Sequence, residues 1–425
     1  MKECEFRASQ PQTMWRVAGC RWKREVRRIS SAVCHRLEDE GHWIYSPEWW
    51  GDGGIVGHTV FRSTSEHGNG VVSVAAYPSS RPGPEEWPKI ERRLQERHVG
   101  VDSALKRDEQ LKILGYQWRV LRFNDDTRQS TVKVMAAYRA ADPASLYLMQ
   151  QPHCLAVPSD LKSMVSAGLT ALSSSGFNLH NAVNGKATMN VLCIGHGGGS
   201  LPLFLASKIR GAMIDVVEID PVVISASIQA MGFPAFAAMR KPDQLSVAQP
   251  AESANLLWGN MHDQLSVHKS DAADFIDICS NIYDLVFIDA YDGDDIFPHK
   301  LWDRNGPFLK SLRSRLDLRH GTIVVNLHAD TDENSILPMG KYVMQVCRAY
   351  KELLGLAFAV SVPWICNLTL VASTRFGLGS AERRLPMSSD MVLNSLASKS
   401  NMVDFLLDLP FPSLQYIKRG FVLID

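Results

Sequence analysis

Residues 190–230 read NVLCIGHGGGSLPLFLASKIRGAMIDVVEIDPVVISASIQA, and this stretch decides the fold. A short apolar run, Val191 to Ile194, gives way to Gly195-His196-Gly197-Gly198-Gly199-Ser200. Leu201, Leu203, Phe204, Leu205 and Ile209 then recur at helical spacing. A second apolar run, Met213 to Val217, closes on Glu218-Ile219-Asp220-Pro221. The order is strand, glycine turn, helix, strand, with an acid at the second strand's end. Gly195, Gly197 and Gly199 admit positive φ and close approach of a ligand, although glycines also make ordinary turns. Glu218 stands where a carboxylate accepts hydrogen bonds from ribose hydroxyls, as in adenosine and dinucleotide sites. The turn lacks GxGxxG spacing, and the absence of GxxxxGKS excludes a P-loop.

Downstream the same alternation continues. Leu265 to His268 reads as a third strand, and Lys269 to Ile276 enters a helix. Tyr283 to Ile288 is a fourth strand, ending at the acidic loop Asp289-Ala290-Tyr291-Asp292-Gly293-Asp294-Asp295. Phe308 to Leu316 is a helix, Gly321 to Leu327 a fifth strand ending near His328, and Asn334 to Leu354 largely helical. Leu356 to Val362 and Ile365 to Ala372 are apolar runs joined by Pro363-Trp364, readable as a hairpin of the last two strands. Strands alternating with helices predict an α/β fold with a doubly wound, mostly parallel sheet. A terminal antiparallel hairpin points to the methyltransferase variant of the Rossmann-like architecture. The polar stretch from Arg240 to His262 is too long for an ordinary helix-to-strand loop and reads as a lid or an insertion.

Upstream, Tyr116 to Phe123 and Thr131 to Met135 flank the turn Asn124-Asp125-Asp126, a β-hairpin signature. Leu161 to Leu172 is an apolar-periodic helix ended by Ser173-Ser174-Ser175-Gly176. Gly70 to Tyr77 reads as a strand and Glu85 to Arg97 as a charged helix. Trp43, Trp49 and Trp50 lie near Gly51, Gly53 and Gly54, which reads as a loop folded onto a domain. The resulting division is a divergent N-terminal region over 1–114, a small β-hairpin domain with its connecting helix over 115–180, a ligand-binding Rossmann-like domain over 181–375, and a tail over 376–425 read as helix followed by loop.

Composition narrows the function classes. With 45 basic and 45 acidic residues the net charge is zero, so nothing points to nucleic acid or an acidic membrane surface. No apolar run approaches the ~20 residues of a membrane helix. The cysteines, at positions 4, 20, 34, 154, 193, 279, 347 and 366, show no CxxC pair, which argues against a zinc site or a disulfide framework. Cys193 and Cys366 sit in apolar runs as reduced core residues, and a cytoplasmic setting fits best. Arg7, Arg16, Arg21, Arg24, Arg27 and Arg28 raise organelle targeting, which Glu3, Glu5 and Glu25 oppose.

In a doubly wound sheet, ligands bind beyond the carboxyl ends of the strands. Those ends here carry the glycine turn, Glu218, Asp271, and the pair Asp289 and Asp292. Asp271 reads as an acceptor for an adenine amino group and equally as a helix N-cap. Asp289 and Asp292 suit an ammonium, from the cofactor or from an amine substrate; with no supporting His or Cys spacing, no metal is expected. His196, inside the turn, reads as a packing residue rather than a catalytic one.

Taken together, VLCIGHGGGSLPLFL, VVEIDPVVI, SDAADFI and YDLVFIDAYDGDDIFPHKLW resemble the spermidine synthase-like group of S-adenosylmethionine-dependent methyltransferase folds. The resemblance spans roughly Gly115 to Ala372 and implies a class I methyltransferase fold behind a small β-rich domain. It implies that S-adenosylmethionine, or its decarboxylated form, contacts Gly195, Gly197, Gly198, Gly199, Glu218, Asp271, Ala272, Asp289 and Gln129, with Asp289 and Asp292 as catalytic acids. Aminopropyltransferases of the group carry Asp in a GGGDGG turn, where this chain has Gly198, and a DSSDP-like loop, where it has Asp289-Ala290-Tyr291-Asp292-Gly293. Without that turn acid, the carboxylate of intact S-adenosylmethionine meets no like charge, which favours methyl transfer; the retained loop acids keep aminopropyl transfer open, and the departures keep a non-catalytic binding role open. The acceptor expected is a small amine or a protein lysine, and the group implies a homodimer.

Overall fold

The computed structural model describes residues 57–79, 82–99, 111–125, 127–155, 160–235, 261, 263–294, 296–330, 339–362, 367–374 and 388–425. The Trp43–Trp50 cluster, the arginine-rich start, Cys366, Pro363-Trp364 and nearly all of 240–262 lie outside these residues.

The first unit is a five-stranded antiparallel sheet in simple order: β1 (His58–Thr64), β2 (Val71–Ser79), β3 (Leu111–Phe123), β4 (Thr127–Arg139) and β5 (Asp142–Gln150). Helix α1 (Trp87–Val99) connects toward β3. The expected hairpin is therefore the centre of a larger sheet: β2 pairs with β3 from Val72↔Phe123 to Ser79↔Tyr116, so strands ahead of residue 115 belong to the same layer. The hairpin turn carries Asn124 and Asp125 at positive φ, the left-handed conformation that Asn and Asp tolerate best among non-glycines.

The second unit is an eight-stranded sheet in the order β13-β11-β12-β10-β9-β6-β7-β8. Its strands are β6 (Met189–Ile194), β7 (Ala212–Glu218), β8 (Leu265–Lys269), β9 (Leu285–Ile288), β10 (Thr322–His328), β11 (Leu356–Ser361), β12 (Asn367–Ser373) and β13 (Val422–Leu423). Strands β6 to β10 pair in parallel, whereas β12 runs antiparallel between β10 and β11. Counted from β6, the order is 3-2-1-4-5-7-6 with the seventh strand reversed, the class I methyltransferase arrangement. The tail departs from its reading as helix and loop. It holds α9 (Ser389–Leu407) and α10 (Ser413–Lys418), then adds β13 to the sheet edge through Phe358↔Leu423. Two residues of strand give too little periodicity to be read in sequence.

Alternate residues of the strands face opposite layers, as the two-residue period requires. Val191, Cys193, Phe287 and Val324 pack toward α2 (Asp160–Ser174), α3 (Leu179–Val183), α4 (Ser200–Lys208), α9 and α10. Leu192, Ile194, Val286, Ile288, Ile323 and Val325 pack toward α6 (Ala272–Ile278), α7 (Pro307–Ser314) and α8 (Lys341–Leu354). The small sheet docks through Val72, Val74, Leu121, Phe123, Val132 and Val134 onto Val223, Ala226, Ala230 and Met231 of α5 (Pro221–Met231), which joins the two units.

Two polar nodes pin the parallel strands. At their starts, His320 bonds Asp284 at 2.7 Å and Asp317 at 3.2 Å, while Asp284 accepts from the Asn190 N–H at 2.7 Å. This is the one cluster among the described residues with metal-ligand spacing, and it lies at the opposite end of the strands from the crevice. On β7, Asp215 receives Tyr283 Oη at 2.9 Å and Asn281 Nδ2 at 3.0 Å, and pairs with His268 Nε2 at 2.8 Å. Burial opposes ionisation of Asp215, but the contacts from His268, Tyr283 and Asn281 hold its carboxyl below the usual range. The stabilisation is therefore present above the ordinary carboxylate pKa of about 3.9 and lost as pH falls through the lower folded value. Asp215→Ala, which strands three polar partners, should lower unfolding free energy by about 2–3 kcal/mol at pH 7 in urea melts. The gap from wild type should close in acid.

Candidate functional site

The strand order reverses between β6 and β9, and ligand crevices of doubly wound sheets open there. The end of β6 is tied to both its neighbours: the Asp289 N–H, after β9, donates to Ile194 O at 2.9 Å, and the Gly195 N–H donates to Val217 O of β7 at 2.9 Å. Gly195 has φ +91, and a Cβ on it would stand 2.0 Å from the Asp289 carbonyl oxygen. The turn and the acidic loop are consequently one piece, which only glycine permits. Gly199, at φ +75, caps α4 against Phe233.

Glu218 closes this cradle from β7. One carboxylate oxygen accepts the His196 N–H at 2.9 Å and the other the Asp220 N–H at 2.9 Å. Burial, opposed by these hydrogen bonds, lifts its pKa to about 6. Each oxygen keeps a second lone pair, so the acid can hold the turn and still accept ribose hydroxyls. His196 is a packing residue. Its Nε2 lies 2.7 Å from Ser227 Oγ, its ring stands edge-on to Phe233, and burial pushes its pKa down to about 3.

Gly198 sits differently from the electrostatic picture drawn from sequence. Its N–H donates to Ser130 Oγ at 3.0 Å, and a Cβ there would meet Val132 Cγ1 at 2.8 Å and Met231 Cε at 2.9 Å. An acid at this position would first have to displace apolar side chains, so Gly198→Asp perturbs packing as well as charge. Ser130 brings β4 onto the turn. Beside it, Gln129, which the resemblance assigns to the cofactor, has a buried Nε2 with no hydrogen-bond partner.

Asp271 serves as N-cap of α6, accepting the Ala273 N–H at 2.8 Å, and its other oxygen pairs with Lys300. Burial opposes ionisation, but the bonds from Lys300 and Ala273 keep its carboxyl below the usual range. An adenine amino group at Asp271 would therefore compete with Lys300. Ala272, the first residue of α6, is buried next to it.

Asp289 accepts Asn326 Nδ2 at 2.9 Å, and Asn326 in turn accepts Asn367 Nδ2 at 3.1 Å. Three neighbouring strands thus orient one carboxylate. Burial pushes its pKa up, against the bond from Asn326 and the nearby His328. Tyr291 donates to Asn326 O and accepts the His328 N–H, each at 2.9 Å, and stacks on the His328 ring at 4.1 Å. Asp292 spends one oxygen on its own loop, accepting N–H groups of Asp294 at 3.0 Å and Ile296 at 2.9 Å. The two acids therefore differ: Asp289 is fixed by the sheet, and Asp292 shapes the loop.

The small domain walls the crevice. Asn69, from the β1–β2 turn, donates to the fully buried Asp220 at 2.7 Å. A Cβ on Gly293 would lie 2.4 Å from Gly68 O, so the acidic loop is pressed against that turn. Asn69, Asn326 and His328 carry no motif, whereas Tyr291 lies in the acidic-loop stretch already read from sequence. Only the strand-end position of Asn326 and His328 could have marked them in sequence.

No family model matches the chain. Over 72 residues it is 39% identical to the eEF1A lysine and N-terminal methyltransferase of Mus musculus; the match covers 17% of this chain and 9% of the length of that relative. Among solved structures, human methyltransferase-like protein 13 in complex with SAH aligns at 19% identity and TM-score 0.41, over 58% of this chain and 93% of that one. A probable spermidine synthase from Corynebacterium glutamicum aligns at 13% identity and TM-score 0.39, over 70% and 93%. No helix among the described residues is long and apolar enough to cross a membrane.

Proposed function

We propose, for a chain that carries the S-adenosylmethionine-dependent methyltransferase fold of the spermidine synthase-like group, that it transfers a methyl group from intact S-adenosylmethionine to an amine nitrogen. The observation that supports this most is Glu218 at the end of β7 beside the glycine turn: the His196 and Asp220 N–H groups fix its carboxylate, and each oxygen keeps a lone pair for a ribose hydroxyl. Glu218 and Gln129 would hold the cofactor's ribose and amino-acid portions, and α6 would flank the adenine. When bound, the cofactor supplies a methyl carbon on a positively charged sulfonium. The chain's own part is to position the acceptor in line and exclude water. An ammonium has no lone pair to offer, so Asp289, oriented by Asn326 and poised upward by burial, takes its proton. The local likeness to a lysine methyltransferase supports a nitrogen acceptor.

Aminopropyl transfer is the second reading, favoured by retention of both Asp289 and Asp292. Titration calorimetry with the two cofactor forms separates the readings. Intact S-adenosylmethionine should bind at least about tenfold tighter than the decarboxylated form, a difference of roughly 1.4 kcal/mol. The opposite order, together with turnover of putrescine, would establish aminopropyl transfer. Absence of binding by both forms would leave a non-catalytic role.

A further inference from the structure

The first turn of α2 brings a second carboxylate to the acceptor side of the crevice. Helix α2 runs along the sheet opposite to the parallel strands. Near its C-terminal end, Ser175 Oγ lies 2.9 Å from Ser373 Oγ, and Ser373 pairs with Thr322, the first residue of β10. Near its start, Ser163 Oγ accepts Thr369 Oγ1 at 2.8 Å, and Thr369 pairs with Asn326. Between them Gly168 lets the helix approach closely, since a Cβ there would meet Val324 Cγ2 at 2.7 Å. One turn before Ser163, Asp160 therefore lies at the level of Asp289, the carboxylate that Asn326 holds. Its Oδ1 is buried without a hydrogen-bond partner.

We propose that Asp160 and Asp289 together form a two-carboxylate seat for the ammonium of a primary or secondary alkyl amine, so that Asp160 is a binding residue for the acceptor. This rests on the transferase reading above and names its substrate class. Two like charges in one mostly buried place cannot both stay ionised without a cation between them. Burial and the neighbouring Asp289, against backbone N–H bonds and the nearby His328, lift Asp160 to about 7, so the empty seat keeps one proton near neutrality. An entering ammonium replaces that proton, which leaves to solvent. Among the described residues, the titratable groups facing the seat are Asp160 from α2, Asp289 from the end of β9 and His328 from the end of β10.

The test uses the full chain saturated with S-adenosylhomocysteine and two probes, 1,4-diaminobutane and a lysine-containing peptide, which distinguish a free amine from a protein side chain. At least one probe should bind wild type with proton release, seen by calorimetry in buffers of different ionisation enthalpy. Asp160→Asn and Asp160→Ser should weaken that probe at least about tenfold and abolish the release, with S-adenosylhomocysteine affinity kept within about twofold. Stability gives an independent readout. Because the folded pKa is raised, the stabilisation from Asp160 exists at low pH and is lost as pH rises through about 7. Asp160→Asn should therefore raise the melting temperature above neutral pH, whereas an acid serving only the helix N-terminus would lower it on removal. Unchanged amine affinity in both variants would overturn the seat, as would failure of wild type to bind either probe while S-adenosylhomocysteine binds. Failure of S-adenosylhomocysteine to bind at all would remove the cofactor reading, and the amine titration without it would still decide the seat.

Discussion

Glu218→Ala should reduce S-adenosylhomocysteine affinity at least about a hundredfold, or roughly 2.7 kcal/mol. Two effects add. The acceptor for the ribose hydroxyls disappears, and a charge-assisted hydrogen bond is worth about 1.5–3 kcal/mol. The buried N–H groups of His196 and Asp220 also lose their partner, so the turn itself loosens. Glu218→Gln separates the effects, since it keeps the shape and one acceptor oxygen. In wild type, affinity should fall as pH drops through about 6, where the carboxyl takes up a proton and loses acceptor capacity. In Glu218→Gln the affinity should be lower and flat across that window. Calorimetry from about pH 5 to about pH 8 reads both. Wild-type affinity for Glu218→Ala would remove the ribose role.

Gly195→Ala should be the more damaging change to the fold. A left-handed residue with a Cβ costs about 1–2 kcal/mol on its own. Here the added methyl would also stand 2.0 Å from the Asp289 carbonyl oxygen, a backbone atom held by the β6–β9 pairing. Relief requires the two strand ends to part, which breaks the bond from Asp289 N to Ile194 O. Together a loss of about 3–5 kcal/mol in urea unfolding is expected, with ligand binding abolished in whatever remains folded. Gly198→Ala is the matched control. Its φ lies outside the left-handed region, and the nearest atoms are side-chain ends on Val132 and Met231, so a milder loss is expected.

The parts legible in the sequence were those governed by local rules. Alternation of strand and helix from Val191 to Ala372 was visible in periodicity. So were the glycine turn and the acids at strand ends, because each sits at a fixed offset from an apolar run. The antiparallel pairing of β11 and β12 followed from two apolar runs joined by a short turn. What was not legible depends on pairing across long separations. The five-stranded extent of the small sheet needed the β2–β3 register, and β13 needed a partner some sixty residues earlier, in β11. Asn326 and His328 became part of the site only because β10 lies beside β9, and Asp160 only because α2 is docked by Ser163 and Gly168.

By itself, then, the sequence determined the fold class and the place of a crevice at the strand ends, since both follow from backbone sterics and strand-end chemistry within about thirty residues. Only the tertiary structure decided what each polar group is free to do. It gave His196 to packing and Asp271 to Lys300, closed Gly198 against Val132 and Met231, and brought Asp160 to Asp289. Burial and neighbouring charge set those roles, and both are properties of the assembled chain rather than of any segment of it.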